Sequence, residues 1–459
     1  VVLPTQVQFL EALFGSGTRS VRRMHQLANS VIILDEVQTI PINTIQMLNV
    51  ALRFLVENCG ATVVLCTATQ PPLDKIDAQY RALTINPDQR IIQNEQELYE
   101  KLKRVEVFDK CRPGGWTEEE VAELAENQLN EKGSVLIVVN TKKSARALYQ
   151  AIADKKIEGL NLYHLSTNMC PAHRLDVLNE IKEKLSKEPV ICVSTQLIEA
   201  GVDIDFGAVI RYLAGLDSIA QSAGRCNRHG KQVGFGNVWV INPAKENIDK
   251  LQDIKIGIDQ TQRVLDDFRD NPEAFGNNRI GLEAMATYYK YYYWKRKDDM
   301  RYKVSADSPV GRSDDLFNLL SVNTSSVGEH VRIYQTAPDI IFPQSFLSAA
   351  KAFRVIDSPT RGVIVQYKKK DEKESEEDGE ELVKDLCGSQ ELEKQYKLLK
   401  KAQRFSVNLF PDEFDKLIKL KAIHEVQKGT GVFYLDKQYY CNEFGWSEEI
   451  VNDMELLLP

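Results

Sequence analysis

Asp35-Glu36-Val37-Gln38 places two adjacent carboxylates directly after the apolar run Val31–Leu34. Such a run reads as a short buried strand, and in open parallel sheets ligands bind where strands end. There, one acid suits Mg²⁺ coordination and the other suits orienting or deprotonating a water that attacks a nucleotide phosphate. The plainer alternative is an acid pair that only caps the next helix. Thr67-Ala68-Thr69 ends the next apolar run, residues 62–66, with two hydroxyls. Ser194–Asp203 (STQLIEAGVD) follows the run 190–193. Its Gly201 permits close backbone approach, Thr195 and nearby amides suit phosphate, and Asp203 suits a ribose hydroxyl. A structural loop is the alternative there. Gln221–Gly230 (QSAGRCNRHG) carries Arg225 and Arg228, three apart and so on one helical face. Guanidinium groups fork onto phosphate oxygens, and one supplied from a second lobe stabilises charge on a transferring γ-phosphate.

These segments need a scaffold of strands alternating with helices. Apolar strand-like runs recur at 30–35, 62–66, 104–108, 135–139, 161–165, 190–194, 208–212 and 237–241, with helical periodicity between several of them. That alternation predicts βαβ units and parallel sheets. The Pro-Gly-Gly turn at 113–115 marks a boundary. The expected fold is α/β. It comprises 1–112 as the C-terminal part of a first, incomplete lobe, 113–245 as a complete second lobe, 246–345 as a helical linker region, and 346–459 as a small α+β C-terminal domain. The charged stretch 368–381 reads as a surface loop.

The chain has 459 residues and a net charge of −8. Residues 371–393 hold eleven Asp/Glu and two Lys, a net of −9, which leaves the remainder at about +1 (−8 − (−9)). A local basic groove for nucleic acid therefore stays open. Eight Cys without a CxxC pair, several in apolar runs such as Val63–Cys66, fit reduced buried thiols in a cytoplasmic protein. No run is long and apolar enough for a membrane span. None of the six His is followed by Asp or forms an H-x-x-H pair; His25 and His164 read as structural, and His229 as touching either DNA or solvent.

DEVQ, TAT, STQLIEAGVD and QSAGRCNR resemble, in order and spacing, motifs II, III, V and VI of superfamily-2 helicases with RecA-like lobes. With LPTQVQF (3–9), TATQPPL (67–73) and TRGVIVQY (360–367), the chain resembles the CRISPR-associated helicase-nuclease of type I systems. The resemblance implies an ATP- and Mg²⁺-dependent 3′-to-5′ translocase on single-stranded DNA, recruited by the Cascade complex to degrade foreign DNA. Asp35 and Glu36 would hold Mg²⁺ and activate water, while Gln38, often His in the family, would hydrogen-bond across the cleft. Thr67 and Thr69 would couple nucleotide state to DNA. Gly201, Asp203 and Gln221 would face nucleotide, with Arg225 and Arg228 catalytic and Arg228 the arginine finger. Asn140, Thr141, Thr167 and Thr195 would contact the DNA backbone.

No G-x-x-x-x-G-K-[ST] and no His-Asp pair occur in the chain, and it starts with Val. The expectation is a piece of a longer protein whose N-terminal half carries the P-loop and nuclease domain, with poor ATP hydrolysis by the piece alone. Two alternatives stay open: a non-catalytic DNA- or Cascade-binding module, and a superfamily-2 helicase outside CRISPR defence. Two further segments invite attention. Tyr288–Arg296 interleaves aromatics with cations, and packing is favoured there over base stacking. Lys397–Phe405 reads as a surface helix.

Overall fold

A computed structural model describes residues 5–18, 22–67, 71, 73–77, 79, 81–355, 360–368, 378–388 and 391–451. The chain divides into two compact units, 1–99 with 281–357, and 100–280 with 358–459. This division differs from the expected one. Residues 281–357 belong with the first unit, whereas 246–280 and the C-terminal domain belong with the second.

In the first unit, strands β1 (Val31–Asp35) and β2 (Thr62–Cys66) pair in parallel, in register from Val31–Thr62 to Asp35–Cys66. Helix Ile45–Cys59 joins them. Its apolar face, Leu48, Leu52 and Leu55, shares a core with Ile32 and Leu34 and with Tyr302, Leu316 and Phe353 from the later segment. Gly60, at φ 65°, ends the helix in the left-handed conformation that glycine adopts without penalty. β1 is half-buried rather than buried throughout, since Val31 and Ile33 are 68% and 65% exposed. Alternate residues of a strand face opposite sides, and in this unit only the Ile32–Leu34 side is covered.

The second unit is built on six parallel strands in the order β3-β8-β7-β4-β6-β5. They are β3 (Val105–Asp109), β4 (Ser134–Val138), β5 (Asn161–Leu165), β6 (Val190–Ser194), β7 (Ala208–Tyr212) and β8 (Gly236–Ile241). β4, β6 and β7 are buried at every position, as expected of central strands covered on both faces. β3 was expected in the first lobe, yet it pairs with β8 over five residues, and Phe108 stacks on Trp239 at 4.8 Å. The 113–115 turn is therefore a loop within this unit. Pairing with a strand more than 100 residues away outweighs the local turn signal.

The C-terminal domain holds a four-stranded mixed sheet in the order Ser406–Leu409, Arg361–Ile364, Phe433–Leu435, Ile423–Glu425. A hairpin of Tyr440–Cys441 and Gly445–Trp446 follows. Most of the charged stretch, 369–377, lies outside the described residues, but its end starts helix Gly379–Gly388. The surface helix expected at 397–405 is Leu392–Ala402 and runs into strand Ser406–Leu409. Among described residues no helix is long and apolar enough to cross a membrane. All eight Cys are free; Cys170, Cys192 and Cys226 are buried, while Cys66, expected inside, is exposed.

Candidate functional site

The first unit assembles its polar residues where β1 and β2 end. Asp35 is exposed, and Glu36 beside it takes φ 50° and ψ 47°. Left-handed backbone is uncommon outside glycine and persists where surrounding contacts hold it. Here Glu36 N–H donates to the Asp35 carboxylate at 3.0 Å, and Thr39 Oγ1 donates to the Glu36 carbonyl at 2.8 Å. Gln6 Nε2 donates to the Asp35 carbonyl at 2.6 Å and to the Glu36 carbonyl at 3.2 Å. Gln6 was not singled out in the sequence; its signal was its place beside Thr5, which caps helix Gln6–Phe14.

Gln38 connects the two strand ends. Its amide donates to the Glu36 carboxylate and accepts from the Thr67 hydroxyl. Thr67, Gln38 and Glu36 thus form one hydrogen-bonded line. Thr69 lies outside the described residues. The donor set fits Mg²⁺, which typically takes one or two carboxylates and keeps waters and phosphate oxygens for its other positions.

In the second unit the motif loops surround a buried ion pair. Glu199, in the turn after β6, lies 3.0 Å from Arg211 of β7; Arg211 is fully buried. Arg211 also donates to Asn140 Oδ1 at 2.8 Å, the Tyr212 carbonyl at 2.8 Å and Ser218 Oγ at 2.8 Å. Ser218 and Ser222, on helix Leu216–Ala223, donate to Glu199. Burial pushes the Glu199 carboxyl upward, opposed by Arg211 and the two hydroxyls. A buried charge persists only when paired and hydrogen-bonded, so this network ties the 194–203 segment, the end of β4 and the Gln221 helix together.

Arg225 departs from its expected catalytic part. It is buried, and its guanidinium donates to the Ile198 carbonyl at 3.0 Å and to the Glu199 carbonyl. It holds the backbone whose side chain Arg211 holds. Arg228 instead is exposed. Its Nε donates to Asp203 Oδ1 at 2.9 Å, and its backbone N–H donates to Asp205 at 2.7 Å. The hydrogen bond from Arg228 keeps the Asp203 carboxyl below its usual range. Gly201, exposed at φ 71°, meets no atom where a Cβ would stand, so backbone conformation alone explains the glycine. Gln221 is half-buried, and His229 is exposed, 3.9 Å from Asp203.

Asn140, Thr195 and Thr167 follow the carboxyl ends of neighbouring strands β4, β6 and β5. Thr167 is exposed and Thr195 mostly buried. Asn140 and Thr141 are engaged within the chain, contrary to the DNA-contact expectation. Glu246 accepts from both backbone N–H groups, at 3.1 and 3.0 Å, and from Asn140 Nδ2 at 2.9 Å. Thr141 also accepts from Ser144 N–H at 3.1 Å as helix cap. Glu199, Arg211 and Glu246 were not singled out. Arg211 was visible as one charge inside the apolar strand AVIRY, a residue type seldom fully buried unless paired.

In helix Leu282–Lys295 of the first unit, Tyr288 and Tyr289 are buried and Tyr292 and Tyr293 half-buried. Arg296 donates to Asp299 at 3.0 Å and to the Tyr292 hydroxyl at 2.9 Å. The rings pack; Trp294 alone is largely exposed.

Residues 131–231 match the family model of the C-terminal part of the CRISPR-associated nuclease/helicase Cas3. The CRISPR-associated nuclease/helicase Cas3 of Haloferax volcanii is 27% identical over 54% of this chain and 35% of its own length. That of Streptococcus thermophilus is 27% identical over 50% of this chain and 27% of its own length. The chain thus spans about a third of the length of these curated relatives. The crystal structure of T. fusca Cas3-AMPPNP superposes with a TM-score of 0.57 at 16% identity, covering 88% of this chain and 50% of that one. Its ADP form superposes with a TM-score of 0.56 at 17% identity. Over its matched segments the chain is similar in sequence to the CRISPR-associated nuclease/helicases Cas3, and it shares the α/β fold of solved Cas3 structures.

Proposed function

We propose that the chain is the helicase part of a DNA-degrading CRISPR effector, coupling ATP hydrolysis to movement along single-stranded DNA in the cytoplasm. The observation that carries this reading is the line Thr67–Gln38–Glu36, which joins a hydroxyl at the end of one parallel strand to an acid at the end of the next. Such a line lets the position of Glu36 follow what happens at Thr67. Mg²⁺, when bound, neutralises phosphate charge. Asp35 and Glu36 would hold it, with Glu36 orienting the attacking water. Asp203 and Gln221 are assigned to the nucleotide, and Arg228 to the charge that develops on the γ-phosphate. Thr167 and Thr195 are assigned to the DNA backbone. Relatives described as AMPPNP and ADP forms support a nucleotide as ligand. Cascade is the proposed recruiting partner, and a separate N-terminal part is the proposed source of the P-loop and the nuclease.

Mg²⁺-ATP hydrolysis, with and without single-stranded DNA, tests this reading. The purified chain is expected to turn over poorly, for want of a lysine and amide nest around the phosphates. Adding a P-loop-bearing N-terminal part is expected to give DNA-stimulated turnover that Glu36→Gln abolishes. Turnover that survives Glu36→Gln overturns the proposal.

A further inference from the structure

The turn that follows β5, residues 166–170, is bound by the hairpin of the C-terminal domain. Asn168 accepts from Trp446 N–H at 3.0 Å, and its side-chain amide donates to the Trp446 carbonyl at 3.3 Å. Cys170 N–H donates to the Tyr440 hydroxyl at 3.1 Å. One helical turn on, His173 has Nδ1 2.8 Å from the same hydroxyl and Nε2 3.0 Å from the Asn442 carbonyl, and its ring stacks on Tyr367. The turn's own support is slight: Met169 N–H to the Ser166 carbonyl at 3.2 Å, and Asn168 N–H to Ser166 Oγ at 3.3 Å.

Side chains cross this boundary both ways. Cys170 and Ala172 sit in the core of the C-terminal domain. Phe444 packs with the core of the β3–β8 sheet, edge-on to Tyr149 at 5.1 Å and to His164 at 5.0 Å. The Tyr149 hydroxyl donates to Glu443 at 2.6 Å, and Lys142 lies over the Trp446 ring at 5.2 Å. Gly445 has φ 80°, and a Cβ there would collide with the Asn168 carbonyl. Amid these contacts Thr167 is exposed, although Ser166, Met169 and Cys170 are buried.

We propose that hairpin 440–446 is a positioning element for the 166–170 turn, through which the C-terminal domain sets how Thr167 is presented to a nucleic-acid backbone. This rests on the single-stranded DNA reading above. A short turn takes its position from its hydrogen-bond partners, and the hairpin supplies those of the Asn168 carbonyl, the Asn168 side-chain amide and the Cys170 N–H. Reciprocal side-chain insertion prevents the two surfaces from sliding, because packed interiors yield in discrete steps. Tyr440 and Gly445 are positioning residues that touch no DNA themselves.

Cys170 provides a readout independent of DNA, since its thiol is shielded by the docked hairpin. Site-resolved iodoacetamide labelling of Cys170 is compared with that of Cys192, buried in β6, in the wild-type chain and in Tyr440→Phe and Gly445→Ala. Binding of an oligo-dT strand is measured on the same proteins and on Thr167→Ala. Release of the turn is expected to raise Cys170 labelling by about fivefold while Cys192 stays protected. It is also expected to weaken oligo-dT binding about as far as Thr167→Ala does. Tyr440→Phe keeps the ring and its packing, so it decides the matter if Gly445→Ala unfolds. Unchanged Cys170 labelling in the folded variants overturns the hold of the hairpin on the turn. Released Cys170 with undiminished DNA affinity, while Thr167→Ala weakens binding, overturns the positioning role and leaves the DNA reading intact. A wild-type chain that binds no oligo-dT overturns the DNA reading, and the positioning role with it.

Discussion

Arg228 donates from Nε to Asp203 at 2.9 Å, joining the exposed arginine of one loop to the carboxylate of another. The pair sits in solvent, where ion pairs add little to stability. Its consequence is orientation. Asp203→Asn is therefore expected to leave the melting temperature almost unchanged but, in protein supplied with the P-loop part, to weaken nucleotide binding, measured by titration with a fluorescent ATP analogue. Because Arg228 depresses the Asp203 pKa, the pair persists from neutral pH down through the ordinary carboxylate range. It is lost only as pH falls through the depressed value.

Gln38 bridges Thr67 and Glu36, so its loss breaks the line without removing either end. In protein supplied with the P-loop part, Gln38→Ala is expected to lower DNA-stimulated turnover roughly tenfold, about 1.4 kcal/mol of barrier. Gln38→His, which keeps a donor and an acceptor, is expected to retain most of it. Equal rates for both variants in steady-state assays would refute the bridge.

The Glu199–Arg211 pair is inside the protein, where removing one partner strands the other. Glu199→Ala is expected to cost about 3–5 kcal/mol in urea unfolding. Ser222→Ala, which removes one hydroxyl from the same carboxylate, should cost about 1 kcal/mol. Similar midpoints for the two variants would contradict the network.

His164 and His173 are each lowered to about 4 by burial, from an ordinary 6.5. The unfolded chain then binds more protons than the folded one between these values, so stability must fall as pH drops from about 6.5 to 4. Each histidine contributes up to about 3 kcal/mol to that fall. His173→Gln is expected to melt lower at pH 7, yet to lose less between pH 7 and pH 5 than the wild type does. A parallel pH profile would show that His173 does not titrate in this way.

Much of the second sheet was legible because its strands are apolar runs ended by polar residues, and a buried parallel strand leaves that trace. The same trace placed Asp35 and Ser194 at strand ends. Direction and partnership were not legible. Arg225 and Arg228 read alike on a helical face, yet the helix ends at Ala223 and both lie in the turns beyond it, one directed inward to carbonyls and the other outward to Asp203. Asn140 and Thr141 read as hydrogen-bonding groups at a strand end, but Glu246, more than 100 residues away, uses them. β3 was misassigned for the same reason, since its partner β8 is distant in sequence. Val31 and Ile33 carry apolar side chains that stay mostly exposed, and hydropathy alone could not distinguish that.

Oligo-dT affinity measured against salt concentration decides whether the proposed grip on the backbone of single-stranded DNA exists. Sequence-independent binding is expected, weakening steadily with salt at a logarithmic slope of about −0.7 per phosphate contact. Thr167→Ala is expected to bind more weakly. Absent binding, or an affinity that does not change with salt, would contradict that grip.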